Sequence, residues 1–187
     1  MSKRVQVPVL SKSKLLSADQ CLKMLHLEWH HSNLAEVSES TEAAFRTGHA
    51  VGAMAQRISG TARSVEIEYR RGDMDTMVRE TAELLSSGAD FPIFEATFCH
   101  EDVIVRVDVL IPDGDGWRVV EIKASTKKKP EHKIDCAIQL WVMRGAGLPI
   151  KSIALGHVNN RFVYGGDGNY AGLIAEEDMT EDATLLS

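Results

Sequence analysis

Three apolar segments with strand-like alternation follow one another in the middle of the chain, and this feature constrains the fold most. They cover residues 93–99, 104–111 and 117–123. Short turn-rich segments, 100–102 and 112–116, separate them, so each segment is predicted to be a strand that runs back along the one before. The centre of the chain is therefore predicted to be an antiparallel meander.

A helix and a further strand are predicted after the meander. Residues 130–144 are predicted to be helical, because their apolar side chains recur at the spacing of one helix face. Glycine and proline residues at 145–149 end this helix. Residues 150–158 form the next predicted strand, which returns after a helix and is therefore expected to be parallel to a neighbour. Residues 161–164 are a candidate fifth strand.

The N-terminal part of the chain is predicted to be mostly helical. Helices are predicted over 11–30, 41–58 and 74–85, with a short strand over 65–69. In the second helix Ala44, Gly48 and Gly52 form a stripe of small residues, against which we expect another backbone to pack.

No internal repeat or linker divides the chain, and 187 residues suffice for one substantial core. We predict a single α/β domain over residues 1–187, with its core at about 40–164. Its central mixed sheet of four to five strands is flanked by helices, and extra helices precede it.

The turn at 113–116 predicts the register of the second and third strands of the meander. Pairing outward from this turn places Asp108 directly opposite Glu121. Alternation along each strand then puts Asp108 and Leu110 on one face, together with Glu121 and Lys123. Two carboxylates and one ammonium group are therefore expected to share a face of the sheet.

Two facing carboxylates repel each other unless a positive group lies between them. Directly opposed Cβ atoms are roughly 4.5–5.5 Å apart, a distance at which like charges are destabilising. A divalent cation such as Mg²⁺ would satisfy both carboxylates, since Mg²⁺ accepts one or two of them together with water and phosphate oxygens. The alternative is that Arg106 or Lys123 neutralises them, and spacing leaves both possibilities open.

These residues resemble a known family. The segments Arg-Val-Asp-Val-Leu at 106–110 and Glu-Ile-Lys at 121–123, followed by a helix that carries Gln139, are similar to the PD-(D/E)XK nuclease superfamily, and in particular to its RecB-like exonuclease branch. The resemblance extends from about residue 10 to 164 and includes Leu-Ser-Lys-Ser-Lys at 10–14. It implies a restriction-endonuclease-like fold with an αβββαβ core, the order of elements predicted above.

The resemblance also implies roles for individual residues. Asp108, Glu121 and the backbone carbonyl of Ile122 would bind Mg²⁺ or Mn²⁺. Lys123 would position the attacking water or help to deprotonate it. The bound metal would lower the pKa of this water and shield the charge that develops on the phosphate oxygens.

Gln139 and Glu95 each have two interpretations. Gln139 would hold Lys123 or a phosphate at the site, or would be a surface residue that is hydrogen-bonded to Asp135 four positions earlier. Glu95 would be a third carboxylate ligand, or would form a cross-strand ion pair with Arg106.

The sequence departs from the family in its first helix and in its cysteines. Many members of the branch have a metal-binding histidine four residues after a glycine, but here Gly48 is followed at that spacing by Gly52. His49 lies nearly one helical turn away and is a weak candidate ligand. The four-cysteine set of some relatives is absent, since the chain has three scattered cysteines, so no iron–sulfur cluster is expected.

The charge of the chain bears on its substrate. The formal net charge of −6 is unusual for a protein that binds a polyanion. A local basic run directly after the Glu-Ile-Lys strand is nevertheless predicted to guide a phosphate backbone, the alternative being a solvated loop; it comprises Lys127, Lys128, Lys129 and Lys133.

The function predicted is that of a Mg²⁺- or Mn²⁺-dependent deoxyribonuclease, an exonuclease in DNA repair, recombination or defence. DNA is the expected substrate, with RNA as an alternative, and a helicase or another nuclease-complex subunit is an expected partner. The competing hypothesis is a degenerate member of the fold that binds nucleic acid or a protein without cutting.

A cytoplasmic location without membrane association is also expected. The sequence shows neither a secretory signal over residues 1–10 nor an apolar stretch of the ~20 residues that a bilayer span needs. Residues 178–187 look like the opening turn of a helix, which predicts that the chain continues in a longer protein.

Overall fold

The computed structural model describes residues 9–35 and 38–187. Residues 1–8, most of the stretch inspected for a secretory signal, lie outside the described part. Within the described part the protein is α/β, with one mixed sheet of seven strands flanked by helices. No helix there is long and apolar enough to cross a membrane.

The strands of the sheet follow the predicted meander and extend it on both sides. They are β1 (Leu10–Ser11), β2 (Val65–Glu66), β3 (Ile93–His100), β4 (Val103–Asp113), β5 (Gly116–Lys123), β6 (Ile150–Val158) and β7 (Ile174–Asp178). Their spatial order is β2-β3-β4-β5-β6-β7, and β1 pairs with β4. Strands β3, β4 and β5 are antiparallel and β6 is parallel to β5, as predicted.

The outer strands differ from the prediction. The last strand is β7, which pairs antiparallel with β6, whereas residues 161–164 form no strand. The two-residue strand β1 had no signal in the sequence, because so short an extended segment has no periodicity. Its parallel pairing with β4 comes from contact with residues more than 90 positions away.

The helices are close to their predicted positions. They are α1 (Lys12–Gln20), α2 (Leu22–His30), α3 (Glu39–Ser59), α4 (Met74–Ser86), α5 (Pro130–Gly145) and α6 (Thr180–Leu186), with a 3₁₀ helix at Ser32–Leu34. The single helix predicted over 11–30 is in fact two helices. Cys21 separates them, because its extended backbone (φ −167°, ψ 116°) cannot belong to a helix.

Strand β4 is longer than its neighbour β5, and this difference creates a notch at one edge. Residues 109–113 of β4 pair with β5, while Val103 and Ile104 on the same edge pair with β1. Among the described residues, no strand lies beside residues 105–108 on this side of β4. The start of α1, directly after β1, is therefore brought next to the end of β5.

The two faces of the sheet have separate apolar clusters. One face carries the main core, in which Leu110 and Val119 pack with Leu140 of α5. The other carries a smaller cluster that includes Val109 and Val120. Helix α3 approaches the sheet on this second face.

Side-chain alternation changes phase in the middle of β4. Val107 and Leu110 both belong to the main core although they are three residues apart. The opposing residue of β3, Glu95, has a left-handed backbone (φ 56°), and the backbone pairs on either side of it continue the same register. The prediction that Asp108 and Leu110 share a face is therefore wrong, because regular alternation does not hold through this point.

The small-residue stripe of α3 is open. Cβ atoms built on Gly48 and Gly52 would have no neighbour within 4 Å. The prediction that another backbone packs against the stripe is wrong. The missing side chains instead leave space between α3 and the sheet.

A carboxylate and lysine cluster as the candidate active site

The β4–β5 hairpin has the register that the turn predicted. Pro112 pairs with Trp117, and Asp113 also pairs with Gly116, so the turn itself has only two residues. When this register is continued for two residues past Leu110, Asp108 lies level with Glu121. There the side chain of Asp108 bonds to the strand backbone: its Oδ2 accepts a hydrogen bond of 2.6 Å from the Ile122 amide.

Glu121 is buried and hydrogen-bonded at both carboxylate oxygens. It is 2% exposed. Its Oε1 accepts from the ammonium groups of Lys123 at 2.6 Å and of Lys12 at 2.8 Å. Its Oε2 accepts from the amide nitrogen of Gln139. Lys123 and Gln139, the two residues predicted to act near Glu121, are therefore both in direct contact with it.

Asp135 completes this group from the first turns of α5. It is buried, its Oδ1 lies 2.8 Å from the ammonium of Lys12, and its Oδ2 pairs with Lys123. The amide of Gln139 also donates to Asp135 at 3.4 Å. The hydrogen bond to the residue four positions earlier, which was one of the two interpretations of Gln139, is therefore present together with its bond to Glu121. Gln139 itself is fully buried rather than on the surface.

Two carboxylates and two ammonium groups thus form a compact buried cluster with no formal net charge. We call Lys12, Glu121, Lys123 and Asp135 the ionic cluster. Burial acts to lower the pKa of Lys12, but the carboxylates of Glu121 and Asp135 outweigh it and raise this pKa above its usual value. Burial acts to raise the pKa of Glu121, but the two lysines outweigh it and hold this pKa below its usual range.

Asp108 is in a different electrostatic position. Among the described residues it forms no ion pair, and its one hydrogen bond comes from a neutral amide. Burial, followed by the negative charge of Glu121, raises the pKa of Asp108 well above its usual value. The carboxylates of Asp108 and Glu121 are therefore electrostatic neighbours, but among the described residues the ammonium groups of the ionic cluster contact Glu121 and not Asp108.

Asp108 lines a cavity of about 540 Å³ between α3 and the sheet, whereas Glu121 points towards α5. The expectation that Asp108 shares a face with Glu121 and Lys123 is not met, for the same reason as for Leu110. The two carboxylates therefore point to different sides of the sheet and influence each other electrostatically beyond the end of the β4–β5 pairing.

The other predicted candidates also line this cavity. Glu95 forms an ion pair with Arg106 at 2.8 Å, so the cross-strand pair is what the structure contains. The Arg106 guanidinium also lies over the ring of Tyr69, 4.8 Å from its centroid. His49 lies on the α3 side of the cavity.

Asp108 and Glu121 are the residues that could hold a hard divalent cation that keeps water ligands. No group of three or more histidine, cysteine, aspartate or glutamate side chains in the described residues is arranged to enclose a metal ion. Mg²⁺ needs no such cage, since one or two carboxylates with water and phosphate oxygens suffice. Asp108, whose carboxylate lies beside the open cavity, and its neighbour Glu121 could supply these carboxylates, with the Ile122 carbonyl as the further candidate ligand.

The basic run after β5 is largely engaged by acidic residues. Lys128 lies 3.6 Å from both Glu177 and Asp182, and Lys133 lies 2.9 Å from Asp182. Lys129 lies 3.7 Å from Glu131. Lys127 forms no ion pair with the described residues, so these contacts leave little positive charge on this surface.

Two members of the ionic cluster were not singled out from the sequence. Asp135 carried a usable signal, because it precedes Gln139 by four residues and two polar residues at that spacing share a helix face. Lys12 carried none that spacing can detect, since its contact with Glu121 spans 109 residues. The pairing of β1 with β4 and the packing of α1 against α5 bring it to the site.

Comparison with known proteins identifies no family. No family model matches the sequence, and no curated protein matches it. The solved structure titled "Crystal structure of SSO0001" is similar to this chain with 13% sequence identity and a TM-score of 0.45, over 99% of this chain and 75% of that one. A likeness at this level carries no argument about function, which therefore depends on the geometry of the site.

Proposed function

We propose that the protein is a divalent-cation-dependent phosphodiesterase that hydrolyses DNA, built on a restriction-endonuclease-like αβββαβ core. The observation that carries the proposal is the pair of contacts of Glu121 with Lys123 and Gln139, made beside the carboxylate of Asp108. An aspartate, a Glu-X-Lys strand and a helix glutamine lie close together where the pairing of β4 with β5 ends. The resemblance to PD-(D/E)XK nucleases depends on the same residues.

Asp108 and Glu121 would hold the cation, with the Ile122 carbonyl as a further ligand. When bound, the cation would supply Lewis-acid stabilisation of the phosphate and a lower pKa for an attacking water. The Ile122 amide fixes one oxygen of Asp108 and leaves its other oxygen for a ligand. The amide of Gln139 fixes Oε2 of Glu121, while Lys12 and Lys123 contact its Oε1.

Lys123 acts in this proposal as a donor and not as a base. Its contacts with Glu121 and Asp135 raise its pKa above the usual value in spite of burial, so it stays protonated at neutral pH. These two contacts use two of its three N–H groups. The third is available to orient a water molecule or a phosphate oxygen.

A cleavage assay tests the proposal. End-labelled linear DNA, circular DNA and RNA would be incubated with the protein and increasing Mg²⁺ or Mn²⁺, with a chelator as the blank. We expect metal-dependent cleavage by the wild type and its loss in Asp108→Asn and Lys123→Ala. Asp115→Asn is the matched control, since this carboxylate lies exposed in the hairpin turn and its ion pair within the described part of the chain is with Lys151. Equal activity in all four proteins would overturn the proposed mechanism.

A second candidate function is a non-cleaving member of the same fold that binds nucleic acid or a protein partner. The observation that favours it is the placement of Lys12, whose ammonium already satisfies Glu121 and Asp135. In the same assay, this candidate predicts no cleavage with any cation. Retained DNA binding by the wild type and by Asp108→Asn would then support the binding module.

A further inference from the structure

Lys12 supplies positive charge to the carboxylate at which the proposed function requires a divalent cation. Its ammonium lies 2.8 Å from Glu121 Oε1 and 2.8 Å from Asp135 Oδ1. The residue is the first of α1, and the pairing of Leu10 with Val103 anchors it at the notch of the sheet. Its side chain is 19% exposed, so it enters the site from the edge of the fold.

The charge of the ionic cluster decides how the site responds to a cation. The positive charges of Lys12 and Lys123 balance the negative charges of Glu121 and Asp135, so the cluster is neutral. A divalent cation that approaches Glu121 therefore meets a carboxylate already in contact with two ammonium groups. Repulsion between like charges a few ångströms apart is strong where water is partly excluded. One ammonium must leave Glu121 for the cation to bind well.

The structure indicates which ammonium would leave. Lys123 follows Glu121 by two residues on the same strand, so β5 itself keeps its ammonium near Glu121. Lys12 comes from another element, and like Lys123 it also contacts Asp135. It can move off Glu121 and keep that second contact.

We propose that Lys12 is an internal counter-ion that a divalent cation must displace from Glu121. The inference rests on the proposed function, because it takes Glu121 as a cation ligand. The site then has two states, one closed by Lys12 and one open to the cation. Asp108, which has no cationic partner among the described residues and lines the cavity, is where the cation first enters. Lys12 thereby sets the cation concentration at which the site fills.

Calorimetric titration with Mn²⁺ alone tests this inference without an activity measurement. The proteins are the wild type, Lys12→Met, Lys12→Arg and Asp108→Asn, with Lys23→Met as the matched control on the solvent-exposed surface of α2. We expect Lys12→Met to bind Mn²⁺ at least about tenfold more tightly than the wild type, because one nearby positive charge is removed. Lys12→Arg and Lys23→Met should bind like the wild type, and Asp108→Asn more weakly.

The outcomes separate this inference from the proposed function. If the wild type binds Mn²⁺ as tightly as Lys12→Met or more tightly, the displacement of Lys12 is overturned but the proposed function is not. Absence of Mn²⁺ binding in every protein would overturn both the displacement and the cation-dependent function.

A second measurement uses only the wild type, so it does not depend on whether Lys12→Met folds. Reductive methylation of lysines would be followed by peptide mass spectrometry, with and without Mn²⁺. Methylation of Lys12 should become several-fold faster when Mn²⁺ displaces it, while the rate at Lys23 stays unchanged. An unchanged or slower rate at Lys12 would overturn the inference.

Discussion

The carboxylate of Asp108 accepts a hydrogen bond of 2.6 Å from the backbone amide of Ile122, the residue that follows Glu121. This bond joins β4 to β5 at the point where their backbone ladder ends. It holds Asp108 beside Glu121 even though their side chains lie towards different faces. The proposed cation site depends on this one contact between the strands.

The raised pKa of Asp108 predicts how stability depends on pH. A carboxyl group whose pKa is higher in the folded state keeps its proton longer when folded, so this group lowers stability as pH rises above the usual value of about 3.8. Asp108→Asn removes this dependence and keeps an oxygen for the Ile122 amide. In urea unfolding without divalent cations, the stability of Asp108→Asn relative to the wild type should increase between about pH 4 and pH 8. A constant difference would contradict the assigned direction of the shift.

Removing one buried charge from the ionic cluster should destabilise the fold strongly. Asp135→Ala leaves Lys12 and Lys123 facing only Glu121, and breaking a buried ion pair costs roughly 3–5 kcal/mol. Asp90→Ala is the matched control, because its pair with Arg63 is exposed and screened by water. Chemical unfolding should show a large loss for Asp135→Ala and little change for Asp90→Ala. Similar losses would show that the cluster is not buried as described.

The change of side-chain alternation in β4 places Leu110 in the main core, although regular alternation continued from Val107 would place it on the other face of the sheet. Leu110 is fully buried in the main core with Leu140 and Val119. Leu110→Ala should cost roughly 2–5 kcal/mol, as core leucine truncations do. Leu22→Ala, at a residue that is 75% exposed, should leave the free energy of unfolding nearly unchanged. A small effect at Leu110 would place it outside the core.

The open stripe of α3 predicts a stabilising substitution. Gly52→Ala adds a methyl group that meets nothing within 4 Å, so it should stabilise the helix by up to about 1 kcal/mol. Gly145→Ala in α5 is the contrasting variant, since its methyl group would collide with the ring of His100. Thermal unfolding should move in opposite directions for the two variants. A loss of stability for Gly52→Ala would mean that α3 packs more closely against the sheet.

Much of the fold was predictable because it depends on local patterns. The meander β3–β5, the helix α5 and the parallel return of β6 followed from periodicity and turn residues. The pairing of Pro112 with Trp117 followed from the Asp-Gly-Asp-Gly turn. These features involve residues that are close in sequence, where spacing carries the information.

The unpredicted features arise from contacts over long distances or from irregular backbone. The left-handed conformation of Glu95 shifts the alternation that had placed Asp108 with Leu110, and nothing in the residue type signals it. Strand β1 has two residues and brings Lys12 to Glu121 from the other end of the chain. Repulsion between Asp108 and Glu121 called for a positive group, but sequence spacing could not show that Lys12, 109 residues away, contacts Glu121.

A crystal soaked in Mn²⁺ tests most directly whether Asp108 and Glu121 jointly bind a cation. The account predicts an anomalous peak at bonding distance from one carboxylate oxygen of each residue, with the ammonium of Lys12 moved away from Glu121. No peak between these two carboxylates at saturating Mn²⁺, with Lys12 still bound to Glu121, would contradict it.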